Sequence, residues 1–139
     1  MRMLFLICKS STTLQTLKDL VEYCDFGGYT ILDNNVLSIN YDDNQGNSIE
    51  YIGIEPEDRD DVIYECGDDS EIYKEFYCNK DILNPSVFWV RYSLATPDAY
   101  LLKSVLKCFK NGKLEFLVNN GRHGNFSVDK FIESVIELI

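Results

Sequence analysis

Negative charge is concentrated in one quarter of the chain. Residues 42–75 contain thirteen Asp or Glu side chains and only two basic ones, a net charge of −11, whereas the whole chain of 139 residues carries −10. Like charges packed together repel one another over about 8 Å at physiological salt. A fold tolerates such a segment most easily when loops hold it in solvent, so we expect its carboxylates to form one exposed acidic face.

The amino-terminal third predicts a strand followed by a helix. The apolar run at residues 4–8 is typical of a strand that is buried on both faces. Ser10-Ser11-Thr12 then offers hydroxyl groups for the N-cap of a helix. Gly27-Gly28 is expected to end this helix, since glycine accepts the left-handed C-terminal conformation. The apolar residues at helical spacing between these signals are Leu14, Leu17, Val21 and Cys24.

The middle of the chain predicts a meander of strands. Residues 29–33 and 36–41 are joined by Asn34-Asn35, and asparagine tolerates the positive φ of a tight hairpin turn. Residues 48–54 form a third predicted strand. Residues 62–66 and 71–78 are two further candidates, the second of which could also form a short helix.

The last third alternates strands with helices. Residues 87–92 predict a strand, and Thr96-Pro97-Asp98 predicts the start of a helix that ends at Asn111-Gly112. Residues 114–118 predict another strand, and Ser127 the cap of a last helix. This order favours a parallel or mixed strand pair covered by helices. The whole chain, 1–139, is therefore predicted to be one α+β domain with a mixed or mainly antiparallel sheet and about three helices.

Cysteine usage indicates a reducing compartment. Five cysteines, an odd number without any C-x-x-C pair, do not fit a secreted disulfide framework. The first apolar run is too short for a signal peptide, and no run of eighteen apolar residues predicts a membrane helix. We therefore expect a cytoplasmic protein with reduced, mostly buried thiols. The cysteines are Cys8, Cys24, Cys66, Cys78 and Cys108.

Signatures of catalysis are weak. No phosphate-binding glycine loop is present, and neither the cysteine spacing nor the single histidine fits a zinc site. Asp58, Asp60 and Asp61 lack the glycine and distal glutamate of a calcium loop. The chain is therefore interpreted as a non-enzyme without catalytic residues, metal or cofactor. One alternative is a small enzyme that uses the Arg122-His123 loop as base and anion clamp.

Aromatic residues are interleaved with the acids, a combination found at interface hot spots. This pattern favours a docking surface for a basic protein over a solvated loop that only aids solubility. Direct contact with nucleic acid or with an anionic membrane is disfavoured because both need a basic surface. The candidate partner-binding residues are Tyr51, Glu55, Glu57, Asp58, Asp60, Asp61, Tyr64, Glu65, Asp68 and Asp69.

The small acidic α+β form and the carboxy-terminal run together resemble immunity proteins of bacterial toxin–immunity systems, such as those of contact-dependent growth inhibition. The run has the strand sequence VFWVRYS at residues 87–93, a capped helix, LEFLVNN at residues 114–120 and a terminal helix. The resemblance implies stoichiometric inhibition of one cognate toxin, often a nuclease. A second alternative is an acidic decoy or adaptor that occupies the nucleic-acid site of a host factor.

Overall fold

The protein is described from a computed structural model, in which residues 2–9, 11–42, 45, 48–58, 86–93, 99–120 and 125–138 are described. These residues form seven strands and three helices. Their order is β1 (Arg2–Cys8), α1 (Leu14–Tyr23), β2 (Tyr29–Asp33), β3 (Val36–Asp42), β4 (Ser48–Glu57), β5 (Ser86–Tyr92), α2 (Tyr100–Asn111), β6 (Phe116–Asn119), β7 (Asn125–Ser127) and α3 (Val128–Leu138).

The strands form one sheet in the order β2-β3-β4-β5-β1-β6-β7, and every neighbouring pair is antiparallel. The predicted α+β class with a mainly antiparallel sheet is confirmed. The expectation of a paired parallel unit in the last third is corrected, because β1 lies between β5 and β6. Leu6 of β1 faces Phe88 on one side and Val118 on the other. β5 and β6 therefore run in the same direction without touching, as in a split β-α-β unit.

One core lies between the sheet and the helices. Alternate residues of a strand point to the same side, and on one side of the sheet these residues pack against α1, α2 and α3. Phe109 of α2 is fully buried and meets Phe116 of β6 edge-on, with ring centroids 6.0 Å apart. The sheet residues of this core are Leu4, Leu6, Cys8, Leu37, Ile39, Ile52, Ile54, Phe88, Val90, Tyr92, Phe116 and Val118. Within the described residues, the opposite side of the sheet carries no helix.

The helix boundaries agree with the sequence in part. Ser127 is the cap of α3, since its hydroxyl accepts a hydrogen bond from the Lys130 N–H at 3.3 Å, and α2 ends at Asn111 as predicted. The cap of α1 is Thr13, whose hydroxyl accepts from the Thr16 N–H, instead of Ser10, Ser11 or Thr12. The Thr13 hydroxyl is one residue closer to the helix than that of Thr12, so it reaches the Thr16 N–H, which has no side-chain partner otherwise in the first turn.

Two further helix predictions are wrong. α1 ends at Tyr23, and the positive φ of 83° at Gly27 belongs to the connection that follows the helix. α2, whose start was predicted at Thr96-Pro97-Asp98, begins at Tyr100 after Ala99, which is left-handed with φ 52°; Thr96, Pro97 and Asp98 themselves lie outside the described residues. Ala99 has no side-chain acceptor with which to cap a helix, and Glu50 of β4 provides the acceptor instead.

The predicted turn of the first hairpin is confirmed. Asn34 and Asn35 have φ values of 51° and 61°, which fit the two central residues of a type I′ turn. β4 extends to Glu57, three residues past its predicted end. The candidate strands at residues 62–66 and 71–78 lie outside the described residues. No helix in the described part of the chain is long and apolar enough to cross a membrane.

Candidate partner-binding face

The side of the sheet opposite the helices is called the open face after its half-exposed middle. Towards one end of β1 and β5, Ile7 and Val87 lie on the same side and are 0% and 3% exposed. The residues of the open face alternate with core residues along the strands, so that the pleat turns them away from the helices. In the strand register, Trp89 of β5 lies between Phe5 of β1 and Glu55 of β4, and Arg91 lies between Met3 and Gly53. The residues that define the open face are Met3, Phe5, Tyr29, Ile31, Tyr51, Gly53, Glu55, Trp89 and Arg91.

Arg91 is held at the centre of the open face by two neighbours. Its Nη2 donates to Oε1 of Glu55 at 2.6 Å, and its guanidinium carbon lies 4.9 Å from the ring centroid of Trp89. The indole Nε1 of Trp89 in turn donates to the Met3 sulfur at 3.4 Å. Stacking on an indole and pairing with a carboxylate both favour guanidinium over ammonium. This chain of contacts fixes the rotamers of three large side chains.

The Arg91 head group is incompletely satisfied. Its Nε is shielded from solvent and has no hydrogen-bond partner. A desolvated donor without an acceptor costs about 1–3 kcal/mol. The ion pair of Arg91 with Glu55 contributes at most about 1 kcal/mol, because the two side chains are 34% and 26% exposed. The placement of Arg91 is therefore poorly explained by stability alone.

Tyr51 lies over Gly53 beside this cluster. A Cβ atom added to Gly53 would be 2.5 Å from the Tyr51 hydroxyl, so the ring occupies the space that a larger residue would fill. The backbone of Tyr51 is held from β5, because its N–H donates to the Ser93 hydroxyl at 2.8 Å and its carbonyl accepts from the Ser93 N–H at 3.0 Å. Tyr51 is therefore an aromatic side chain on a fixed backbone.

Apolar surface surrounds the cluster. Met3, Tyr29 and Ile31 are 55%, 48% and 51% exposed, and these are three of the five large hydrophobic side chains exposed in the described part of the chain. A cavity of about 270 Å³ opens between Met3, Trp89 and Glu57. It is smaller than the roughly 300–1,000 Å³ of small-molecule sites, so it suits a single side chain of a protein partner.

The structure brings together part of the predicted binding set. Tyr51 and Glu55 belong to the open face, Glu57 lines the cavity beside Trp89, and Asp58 lines a second cavity with Ser86 and Thr12. The remaining predicted residues lie outside the described residues: Asp60, Asp61, Tyr64, Glu65, Asp68 and Asp69.

One acid of the segment is buried, which corrects the expectation that all of its carboxylates lie in solvent. Glu50 is 1% exposed on the helix side of β4, and its Oε2 accepts a hydrogen bond from the Leu101 N–H at 2.6 Å. The first N–H groups of a helix lack intrahelical partners and carry the positive end of the helix dipole. Glu50 thus supplies the cap that Ala99 cannot provide for α2.

Asp42, the last residue of β3, lies beside Tyr29, the first residue of β2. Partial desolvation, followed by the charge and hydrogen bond of Asp42, raises the pKa of Tyr29 above its ordinary value. A carboxylate beside a phenol disfavours the phenolate. Asp42 and Tyr29 therefore interact at the edge of the sheet.

Trp89, Arg91 and Met3 are site residues that the sequence does not predict. Residues 87–92 are predicted only as a strand, and in the structure Phe88, Val90 and Tyr92 alternate with Trp89 and Arg91. An arginine inside such a strand is a signal that one side of the strand is not core. Two further open-face residues, Tyr29 and Ile31, belong to the edge strand β2.

Metal and thiol chemistry find little support. In the ranges that the structure describes, no group of three His, Cys, Asp or Glu side chains could hold a metal ion. Burial raises the pKa of the Cys8 thiol to about 12, which disfavours the nucleophilic thiolate. The Arg122-His123 loop, on which the enzyme alternative depends, lies outside the described residues, as do Cys66 and Cys78.

In comparisons with known proteins, no family model, no curated protein and no solved structure matches this chain.

Proposed function

We propose that this protein acts by binding a basic protein partner on the open face, and that it is an immunity protein that neutralises a cognate bacterial toxin by forming a stoichiometric complex. The observation that carries the proposal is the cluster of Arg91, Trp89 and Glu55 on the side of the sheet opposite the three described helices. The toxin is expected to be a nuclease-type domain, as the resemblance to immunity proteins implies.

The residue types of the cluster support protein binding. Trp, Tyr and Arg dominate the few positions that carry most of the binding energy in interfaces. The side chains of Trp89 and Arg91 are already held by neighbours, so less side-chain entropy is lost on association. Exposed apolar side chains on the same face, such as Met3 beside Trp89 and Ile31 on the edge strand, add contact area that is costly to leave in water.

The charge around the cluster supports a basic partner. Arg91 is neutralised by Glu55, and the next acids along β4, Glu57 and Asp58, lie at the same end of the strand. The sequence continues with further acids, within a segment whose net charge is −11. Complementary charge mainly accelerates encounter and selects partners. We therefore expect aromatic contacts to determine affinity and the acids to determine the association rate.

The test uses the protein encoded immediately upstream in the native genome as the candidate toxin. Its growth inhibition is measured with and without co-expression of this chain, and the affinity of the purified pair is measured by calorimetry at low and high salt. We expect growth to be restored, one-to-one binding, and a strong loss of association rate at high salt. Restored growth without a complex, or no protection at all, would contradict toxin neutralisation.

Two variants test the face itself. Trp89→Ala and Arg91→Ala should each weaken binding by roughly tenfold or more, the effect of a hot-spot residue. Tyr23→Ala is the matched control, because Tyr23 is 93% exposed at the end of α1 on the helix side. Circular dichroism and urea unfolding verify that the variants fold. Equal affinities for all three variants would place the interface elsewhere. A complex with a host factor that blocks the binding of that factor to nucleic acid would favour the decoy alternative.

A further inference from the structure

The edge strand β2 leaves part of its backbone without a partner strand. β2 is the first strand in the order of the sheet, so that only β3 lies beside it among the described strands. Asp33 and Val36 flank the two-residue turn, and residues in these positions of a type I′ hairpin exchange both of their backbone hydrogen bonds. Bonded and non-bonded pairs alternate along an antiparallel ladder. The N–H and C=O groups of Thr30 and Leu32 therefore point away from β3, towards the outside of the sheet.

β2 lacks the features that usually keep an edge strand from pairing with another chain. Such strands are commonly interrupted by a bulge or a proline, protected by lysine, or very short. β2 has five residues in regular register with β3, and none of them is Lys, Arg or Pro. The opposite edge is formed by β7, which has only three residues. Tyr29 and Ile31 also leave about half of their side chains exposed here. β2 is thus the described edge that is best suited to accept a further strand.

The charge beside this edge is negative. β2 and β3 contain Asp33 and Asp42 but no basic residue. Oδ1 of Asp42 is shielded from solvent and accepts no hydrogen bond from the described part of the chain. On the helix side, the Thr30 hydroxyl donates to Oε1 of Glu22 at 2.8 Å, and Glu22 is also paired with Lys18. Opposite charges on neighbouring strands stabilise their pairing and like charges oppose it. The edge is therefore suited to a strand that carries Lys or Arg.

We propose that β2 pairs with an extended segment of the basic protein partner, which joins the sheet as one more strand. The inference rests on the proposed function, because the segment belongs to the same partner, and it adds a second contact region beside the open face. Main-chain hydrogen bonds to Thr30 and Leu32 contribute affinity, and alternate side chains of the segment contribute specificity. Ile31 and Asp33 share the open face. The segment therefore carries an apolar residue opposite Ile31 and, two positions away, a basic residue opposite Asp33.

A second copy of this chain is a poorer occupant of the edge. Each chain carries a net charge of −10, so that pairing two copies through β2 brings like charges together. A pairing of five residues is also small compared with the roughly 1,200–2,000 Å² that a stable protein interface buries. For the basic partner, in contrast, the strand pairing is added to the contacts on the open face, and its charge is of the opposite sign.

The experiment follows amide hydrogen exchange by NMR in the full chain, alone and in complex with the candidate partner that is encoded upstream. In the free chain the Thr30 and Leu32 amides should exchange fast, whereas the Ile31 and Asp33 amides, which bond to β3, should exchange slowly. In the complex the Thr30 and Leu32 amides should slow by about tenfold or more. Side-chain contacts on the open face alone would leave these two N–H groups without an acceptor.

A pair of variants tests one outward N–H directly. Thr30→Pro removes this N–H at a position where an edge strand accepts proline, and Thr30→Val loses the same hydroxyl but keeps the N–H. Thr30→Pro should bind the partner at least about tenfold more weakly than Thr30→Val, and equal affinities would contradict the pairing. Circular dichroism and thermal melts verify that both variants fold. If Thr30→Pro does not fold, the amide exchange of the wild-type chain decides.

The outcomes separate the strand pairing from the proposed function. A complex that Trp89→Ala weakens, but in which the Thr30 and Leu32 amides exchange as fast as in the free chain, would overturn the pairing and leave the proposed function standing. The absence of any complex would overturn both. Slow exchange of these two amides already in the free chain would overturn the pairing as well. It would show that the edge is covered by the chain itself or, where the protection rises with protein concentration, by a second copy.

Discussion

Replacing Glu50 tests the most unusual contact in the fold. Glu50 is the acid that leaves the surface, and its carboxylate holds the Leu101 N–H at the start of α2. In Glu50→Ala the N–H loses its acceptor and becomes a buried unsatisfied donor. In Glu50→Gln an oxygen acceptor and the side-chain volume are kept while the negative charge is lost. The pair of variants therefore separates the hydrogen bond from the charge.

The expected sizes follow from the geometry. A hydrogen bond to a charged group contributes about 1.5–3 kcal/mol, and a charge at a partly buried helix terminus up to about 2 kcal/mol. Burying the carboxylate opposes both terms. We expect Glu50→Ala to lower the free energy of unfolding by about 2–3 kcal/mol and Glu50→Gln by about 1 kcal/mol. In a domain of this size, the first change corresponds to a fall in the thermal midpoint of roughly 6–12 °C.

Urea unfolding followed by circular dichroism measures the free energies, with thermal melts as a second readout. Glu133→Ala is the matched control, since Glu133 is exposed on α3 and should change the free energy of unfolding by less than about 0.5 kcal/mol. If Glu50→Ala is as stable as the control, the cost of burying the charge equals its contribution to the cap. If Glu50→Gln is as damaging as Glu50→Ala, the charge and not the hydrogen bond is what α2 needs.

Three further predictions concern stability. Phe109→Ala should lower the free energy of unfolding in urea by about 3–5 kcal/mol, because the fully buried ring leaves a cavity beside Phe116; a loss below about 1 kcal/mol would mean that the core collapses around it. Asn35→Val should cost about 1–2 kcal/mol more than Asn35→Gly at φ 61°, and equal midpoints would argue against the left-handed turn. The Cys8 thiol stays protonated in the folded state up to a pKa of about 12 but ionises above about 9 when unfolded, so its contribution to stability is complete below pH 9 and lost towards pH 12. By pH 10 the free energy of unfolding should have fallen by about 1.4 kcal/mol for this reason, and Cys8→Ala should not show this fall. Identical pH profiles for the wild-type chain and Cys8→Ala would exclude the effect.

The sequence predicts correctly those features that depend on residues close to one another in the chain. Asn34-Asn35 predicts a left-handed turn, and Ser127 caps the helix that follows it, because both effects operate within four residues. The order of the strands could not be read in the same way. β1 is inserted between β5 and β6, and its pairings with them join residues 78–114 positions apart in sequence, which no local pattern encodes.

The start of α2 shows a second limit. Thr96-Pro97-Asp98 has the composition of a helix start, yet the helix begins after Ala99, because its free N–H groups are satisfied by a carboxylate from β4. Propensity is a weak prior that a tertiary contact can override. The candidate site was missed for a related reason: the burial of Trp89 and Arg91 depends on which side of the sheet receives the helices.

The pleat of β4 separates charges that are close in sequence. Glu50 has the parity of Ile52 and Ile54 and points to the helices, whereas Glu55 and Glu57 have the opposite parity and point to the other side. Among the acids of this segment that the structure describes, one carboxylate therefore caps a helix and another binds Arg91. A partner that recognised only negative charge would find Glu55 already neutralised. In the proposed complex, recognition of this face is therefore expected to depend on the aromatic and guanidinium surface, with the acids at the end of β4 acting on the approach.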